Sequence, residues 1–371
     1  MSLPTTQQLE GYALSVVVFG PGFGESIVLR AATDTEPVWA VIDSARRERR
    51  RKTVNPALDL LVDQRARPSL VLLTHPHQDH TSGMAAIIER AAPGAILACV
   101  EPLLHPPSPY APVEDPDDAA AVSRSQAGLA HRAMHSAWNG GSSKWSLLQG
   151  TSRELADWML TVLHPTADEV DEAIARYGNR QRVNLNDLSA SLLVEHKDIA
   201  LVLGADCEHA AWTAIRNRMQ PDDLLHTRPI KVPHHGSRKA IHPVLIDHSQ
   251  RDVDRLQIVT PFPSSGRLPR FEADQGIEML IAAAGSVDLT AMPVDLVASE
   301  TTVTLAAARG AMPVEEFEGD PALCIRLDRP GGTTDLQPAV RDPYETWTMI
   351  GIQLDGQVVT SRGEHAVQIV A

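Results

Sequence analysis

Within the run His75-Pro76-His77-Gln78-Asp79-His80 the chain places three imidazoles and one carboxylate. The run follows Thr74 and the apolar stretch Leu70-Val71-Leu72-Leu73, which reads as a buried strand. Neutral imidazole and carboxylate are the ligands that borderline divalent cations prefer. His75 and His77 lie two apart, so an extended backbone points both the same way. Asp79 and His80 fall where the loop turns into a helix, and they can face a second ion. One short loop can therefore begin two metal sites, the arrangement that two-metal hydrolases use to hold a nucleophilic hydroxide. A single histidine here would read as a polar surface residue. Four donors at this spacing, directly behind a strand, read as ligands.

Two more strand ends carry donors. Ser191 to Glu195 and Ile199 to Leu203 read as a hairpin turning at His196-Lys197-Asp198 and ending in Gly204-Ala205-Asp206. Ile230-Lys231-Val232 delivers Pro233-His234-His235-Gly236-Ser237. Taken singly, Asp206 is a helix N-cap and His234-His235 a surface pair. Taken together, three apolar strands with polar groups just past their ends can converge on one sheet edge. Asp206 can bridge two cations with its two oxygens. Lys231, Arg238 and Lys239 flank the histidine pair and offer charge to a phosphate.

The elements that must position these groups are an alternating set. Ala13 to Phe19 reads as a strand, broken by Gly20-Pro21-Gly22-Phe23-Gly24. Strands follow at Ser26 to Arg30 and Val38 to Ile42, the latter ending in Asp43-Ser44. Pro56 to Val62 is a helix, Leu70 to Leu73 a strand, Gly83 to Ala92 a helix and Ala95 to Val100 a strand. From 102 to 152 the chain is less regular, with proline and acidic runs around a helix over Ala119 to Ser136, and reads as an insertion over the site. Strand character resumes at Trp158 to Leu163, Glu208 to Arg218 is helical, Gln257 to Pro261 is a strand and Ala273 to Ala284 a helix. After about residue 305 the alternation gives way to short strands, including Cys324 to Leu327, Trp347 to Leu354 and Val358-Val359. The expected division is one large domain over 1–305 and a small β-rich C-terminal appendage over 306–371.

The H-x-H-x-D-H loop, the aspartate after a later hairpin and the late histidine together resemble the metallo-β-lactamase superfamily. The pattern is most similar to the metallo-β-lactamase-like domain of the competence protein ComEC and its soluble relatives. Those proteins carry K-V-x-H-H-G-S, matched by Lys231 to Ser237, and Asn-x-x-Ser, matched by Asn186-Asp187-Leu188-Ser189. Their Gly-rich turn and Asp-terminated strand compare with Gly22 to Ser26 and Asp43. The resemblance covers roughly residues 12 to 300. It implies an α/β fold, the αββα sandwich, and metal-assisted hydrolysis with one or two divalent ions, zinc or manganese. The implied ligands are His75, His77 and Asp206 for one ion. Asp79, His80, Asp206 and one of His234 or His235 would hold the other. The histidine left off the metal would donate a proton or clamp an anionic oxygen, and the implied catalytic groups are Asp79, His235 and Lys231. The sequence departs from the pattern in two places. A further ligand histidine is missing where Asn184, Asn186 and Ser189 stand, with His164 a possible substitute, and Gly-Asp is replaced by Gly204-Ala205-Asp206.

Net charge is −14 over 371 residues, which gives no general attraction to nucleic acid or anionic membrane. The one basic cluster, Arg46 to Lys52, reads as a solvated loop or helix start. Cys99, Cys207 and Cys324 form neither a zinc ribbon nor a disulfide framework, which suits a reducing cytoplasmic setting. The sequence shows no signal peptide or membrane span. The flanking bases favour a phosphodiester substrate, nucleic acid or nucleotide. Because the chain is acidic and carries an appendage, the expected activity depends on a partner that presents substrate or switches it on, with the C-terminal segment a docking region for a partner protein. Hydrolysis of a small ester, thioester or lactone is the second expectation, and a non-catalytic scaffold that keeps the fold is the third.

Overall fold

The computed structural model describes residues 3–20, 24–49, 52–100, 126–181, 183–197, 199–219, 229–246, 256–262, 268–269, 276, 279–280, 286–290, 323–326, 347–352, 358–362 and 367–370. Two sheets face each other. The first runs, in spatial order, 358–362, 347–352, 14–19, 26–31, 38–42, 70–73, 96–99 and 143–146. The second runs 323–326, 367–370, 286–289, 256–259, 229–231, 199–203, 191–196, 158–164 and 152–155.

Alternation along the strands decides the layers. Leu14, Val16 and Val18 face the second sheet and pack in one core with Leu160, Val162, Leu192, Val194, Leu201 and Leu203. Val17 and Phe19, on the opposite face, pack with Val28, Val41, Val71 and Leu73 under Leu60, Leu61, Met84, Ile87, Ala130 and Met134 of three helices. On the far side of the second sheet, Leu193, Val202 and Ile230 pack under Ala211, Trp212 and Ile215. The result is helix, sheet, sheet, helix, as expected. Because the central strands are covered on both faces, Leu14–Phe19 and Ser26–Ala31 are buried along their whole length.

The parallel blocks aim the site. Val38–Ile42, Leu70–Leu73, Ile96–Cys99 and Ser143–Ser146 run parallel in the first sheet. Ile199–Leu203, Pro229–Lys231, Leu256–Val259 and Ser286–Leu289 do so in the second. Their C-terminal ends carry Asp43, the His75 loop, Asp206, His234-His235 and Thr260. Open α/β sheets bind ligands at this edge.

Several elements differ from expectation. The basic run is a short hairpin, Arg47–Arg49 against Lys52–Val54, not a helix start; its second strand carries the β-branched Thr53 and Val54. Of segment 102–152, residues 102–125 lie outside the described residues. The helix Gln126–Asn139 packs on the first sheet, and Ser143–Ser146 pairs with Ile96–Cys99. Most of the helix expected over Ala273 to Ala284, and residues 21–23 of the Gly-rich turn, also lie outside the described residues. The described C-terminal strands extend both sheets. Trp347–Ile352 pairs with Leu14–Phe19, and Val367–Val370 pairs with Ser286–Leu289. No described helix is long and apolar enough to cross a membrane.

Candidate metal centre

The three strand ends converge. Asp206 lies at the centre, buried at 2% exposure. Its Oδ1 is 3.3 Å from His80 Nε2 and 3.9 Å from His235 Nε2. Its Oδ2 is 3.8 Å from His75 Nε2 and 4.0 Å from His234 Nε2. Asp79 Oδ2 sits 3.3 Å from His235 Nε2 and 3.7 Å from His80 Nε2. His77 Nδ1 is 3.0 Å from His75 Nε2. Besides a cluster of Glu25, Asp43 and His80, two donor groups result, and in each the ligand atoms lie within 4.8 Å of one another: Asp79, His80, Asp206 and His235, and His75, His77 and Asp206. Asp206 belongs to both. Five of the six predicted ligands and His235 fall in these groups, and His234 lies beside them with Nε2 4.0 Å from Asp206 Oδ2.

Second contacts fix which nitrogen each imidazole presents. His80 Nδ1 is 2.7 Å from Asp43 Oδ2. His235 Nδ1 is 2.8 Å from the Thr260 carbonyl. His75 Nδ1 is 3.1 Å from both Thr74 Oγ1 and Ser189 Oγ. Each of these rings is left with Nε2 facing the centre, the geometry that second contacts impose on metal ligands. Ser189 also accepts from the Asp206 backbone N–H at 3.1 Å, so one hydroxyl aims a ligand on each side.

The donor set fits divalent cations on an observation independent of the motifs. His80 Nε2 and Asp206 Oδ1 are buried and lack a well-aligned hydrogen-bond partner, and they face each other. Buried polar atoms without partners call for an explanation, and an ion between them supplies one. Electrostatics agree. Burial opposes the charge on Asp206, yet His80 and His235 hold its carboxyl well below the usual range. Asp79 is also lowered, by His80 and His235 acting against burial. Burial, then the neighbouring imidazoles His80 and His77, pushes His75 well down. His80 goes the other way, because Asp206, Asp43 and Asp79 outweigh its burial. Ionised carboxylates around a centre that attracts a proton are what a cation would replace that proton to meet.

The backbone is strained at two of these strand ends and after the strand that ends in Asp43. Asp43, Ala205, His234 and His235 adopt φ of 55°, 44°, 45° and 54°. Non-glycine residues in this region cost on the order of 1–3 kcal/mol each and cluster at functional sites.

Lys231 is a correction. It is 1% exposed and ion-paired to Glu25, and so offers no charge to a substrate. The strand that carries it is central in its sheet, which turns the side chain inward. Thr260 Oγ1 donates to the same Glu25 oxygen at 2.8 Å. Arg238 and Lys239 are exposed beyond the histidine pair. His164 does not join the centre. Its Nδ1 lies 3.2 Å from the Ser189 carbonyl and its Nε2 3.3 Å from Glu169 Oε2. No spacing in the sequence marks Thr74, Glu25, Glu208 or Thr260 as partners of the site, and Asp43 stands out only as the end of a strand.

A two-sheet α/β sandwich with shared His/Asp donor groups at one edge is consistent with the metallo-β-lactamase fold. Residues 19–124 match the family model of the metallo-beta-lactamase superfamily. That stretch holds Asp43 and the His75–His80 loop. No curated protein matches the chain. Among solved structures, the metallo-beta-lactamase fold protein YhfI from Bacillus subtilis aligns at 8% identity, covering 74% of this chain and 95% of its own, with TM-score 0.37. Unliganded yeast PDE1 aligns at 11% identity over 72% and 93%, also with TM-score 0.37. A CmlA beta-hydroxylase variant aligns at 14% over 60% of this chain, with TM-score 0.32; the alignment spans only 36% of that protein. Likenesses this distant do not bear on the reaction.

Proposed function

We propose that this chain is a metal-dependent phosphodiesterase acting on nucleic acid or a nucleotide. The observation that carries the reading is the placement of Asp206 between two donor groups, one oxygen toward each. His75, His77 and Asp206 would hold one ion, and Asp79, His80, Asp206 and His235 the other. When bound, zinc or manganese would supply Lewis acidity and a water of lowered pKa, and a pair of ions would suit in-line displacement at phosphorus. Asp79, whose side chain is 14% exposed against 3% for Asp206, is the carboxylate placed to take a proton at the mouth of the site. Exposed Arg238 and Lys239 follow the histidine pair after Gly236 and Ser237 and offer charge to a phosphate. Two buried donor groups sharing Asp206 argue against a scaffold that has lost its chemistry.

The test is turnover by zinc- or manganese-loaded protein on bis(p-nitrophenyl) phosphate, dinucleotides and oligonucleotides, beside p-nitrophenyl acetate, a thioester and a lactone. Phosphodiester cleavage that a chelator abolishes is the expected result. Ester, thioester or lactone turnover with intact phosphodiesters would overturn it.

A further inference from the structure

We propose that His234 supplies a third imidazole to the first ion, so that the adjacent residues His234 and His235 are divided between two ions. The inference rests on the metal reading above and assigns a ligand that the reading leaves open. Asp206 separates the two rings. His234 Nε2 lies 4.0 Å from Oδ2, the oxygen that is 3.8 Å from His75 Nε2. His235 Nε2 lies 3.9 Å from Oδ1, the oxygen that is 3.3 Å from His80 Nε2. Neighbours in sequence thus fall on opposite sides of the carboxylate.

The backbone explains how. His234 and His235 have φ/ψ of 45°/51° and 54°/28°, followed by Gly236 at φ 74°. Two consecutive left-handed non-glycine residues are costly, and a single ligand would not require them. The turn splays the rings, with centroids 6.3 Å apart and planes at 64°. His234 also shares the orientation of the other ligands. Its Nδ1 lies 3.4 Å from Glu208 Oε1, which leaves Nε2 toward the centre. Asn186 Nδ2 is 3.3 Å from that Nε2, so the amide donates to an unprotonated nitrogen, the form that binds metal. The bond to Asn186 is the one an ion would replace.

The competing third ligands are weaker. His164 has both nitrogens engaged away from the centre. Asn186 reaches the site only through His234.

Metal content of dialysed protein, measured by elemental analysis after zinc loading, decides the assignment. Wild type should retain two ions per chain and His234→Ala one. His75→Ala combined with His234→Ala should still retain one, because both act on the first ion. His80→Ala combined with His234→Ala should retain none. If the two double variants exchange results, His234 belongs to the second ion and the proposal fails. Two ions retained by His234→Ala overturn it as well. A wild type without two ions overturns the two-ion reading itself, a distinguishable failure. Wild type loaded with cadmium-113 and labelled with 15N-histidine gives a readout free of folding defects. A cadmium coupling at His234 Nε2 is expected, and its absence refutes the assignment.

Discussion

Asp43 Oδ2 lies 2.7 Å from His80 Nδ1, and both side chains are buried. The same oxygen accepts the Thr74 hydroxyl at 2.6 Å, while Oδ1 accepts the Thr74 backbone N–H at 2.8 Å. Because the Thr74 hydroxyl gives its proton to Asp43, it can only accept from His75 Nδ1, 3.1 Å away. One carboxylate therefore sets the tautomer of a histidine in each donor group, His80 directly and His75 through Thr74. Both rings are left with Nε2 facing Asp206, the nitrogen through which each would bind an ion.

Asp43→Asn tests that relationship. The amide accepts through only one of its two atoms: with nitrogen at the Oδ2 position the acceptor shared by His80 and the Thr74 hydroxyl is lost, and with nitrogen at the Oδ1 position the Thr74 backbone N–H loses its acceptor and Thr74 is displaced. Substitutions of this kind typically weaken metal affinity by about 10–100-fold. Competition against a chromophoric chelator should show both ions weakened. Weakening of one ion alone would show that Thr74 does not carry the effect to His75.

Gly24 is the second probe. It adopts φ 95°, and a Cβ built there would overlap the Asp79 carbonyl. The next residue, Glu25, donates its backbone N–H to that carbonyl at 3.2 Å. Gly24→Ala must displace Asp79 or the loop. The expected outcome is loss of affinity for the ion held by Asp79, His80 and His235, with the ion at His75 and His77 retained. Equal loss at both, in the same chelator titration, would mean a general collapse of the edge.

The ligands proved easier to read from the sequence than the groups that hold them. The His75–His80 loop is local, its spacing is chemical, and the strand before it is plainly apolar. Asp206 and the histidine pair were legible because each follows an apolar run. Asp43 reaches His80 across 37 residues, and Glu25 reaches Thr260 across 235, and no periodicity encodes such pairings. Lys231 was misread for the same reason. A lysine beside a histidine motif reads as a substrate contact until Glu25, far upstream, is seen to neutralise it. The pairing of Trp347–Ile352 with Leu14–Phe19 was equally hidden, because alternation fixes a strand's faces but not its neighbour.

The Glu25–Lys231 pair joins the two sheets beneath the site. Both groups are 1% exposed or less. Removing one partner of such a pair leaves a buried charge and costs about 3–5 kcal/mol, whereas replacing both is often close to neutral. Urea unfolding should therefore rank Lys231→Met well below wild type, with Glu25→Gln plus Lys231→Met recovering most of the loss. Additive losses would show that the two charges do not compensate each other.

His164 and Glu169 yield a pH prediction away from the ions. Burial opposes charge on His164, but hydrogen bonds to Cys207 and Glu169 raise its pKa from 6.5 to about 10. Glu169 is held below its ordinary 4.5, first by the bond from His164. A raised histidine stabilises the fold fully below its unfolded pKa, and the contribution is lost as pH climbs through the folded value. A lowered carboxyl contributes above its unfolded pKa, and that part is lost as pH falls. The pair therefore contributes most between pH 4.5 and 6.5 and fades toward pH 10. Glu169→Gln removes the charge while keeping a side chain able to complete the capping box with Thr166. With Glu169 31% exposed, the variant should lose roughly 0.5–1 kcal/mol near neutral pH. Unfolding of metal-free protein across pH 5 to 10 should show the two chains converging as pH rises, with titrations elsewhere cancelling in the difference. A gap that stays constant or widens toward pH 10 would mean that Glu169 acts through its pair with Arg218, packing or the helix cap, not through the charge on His164.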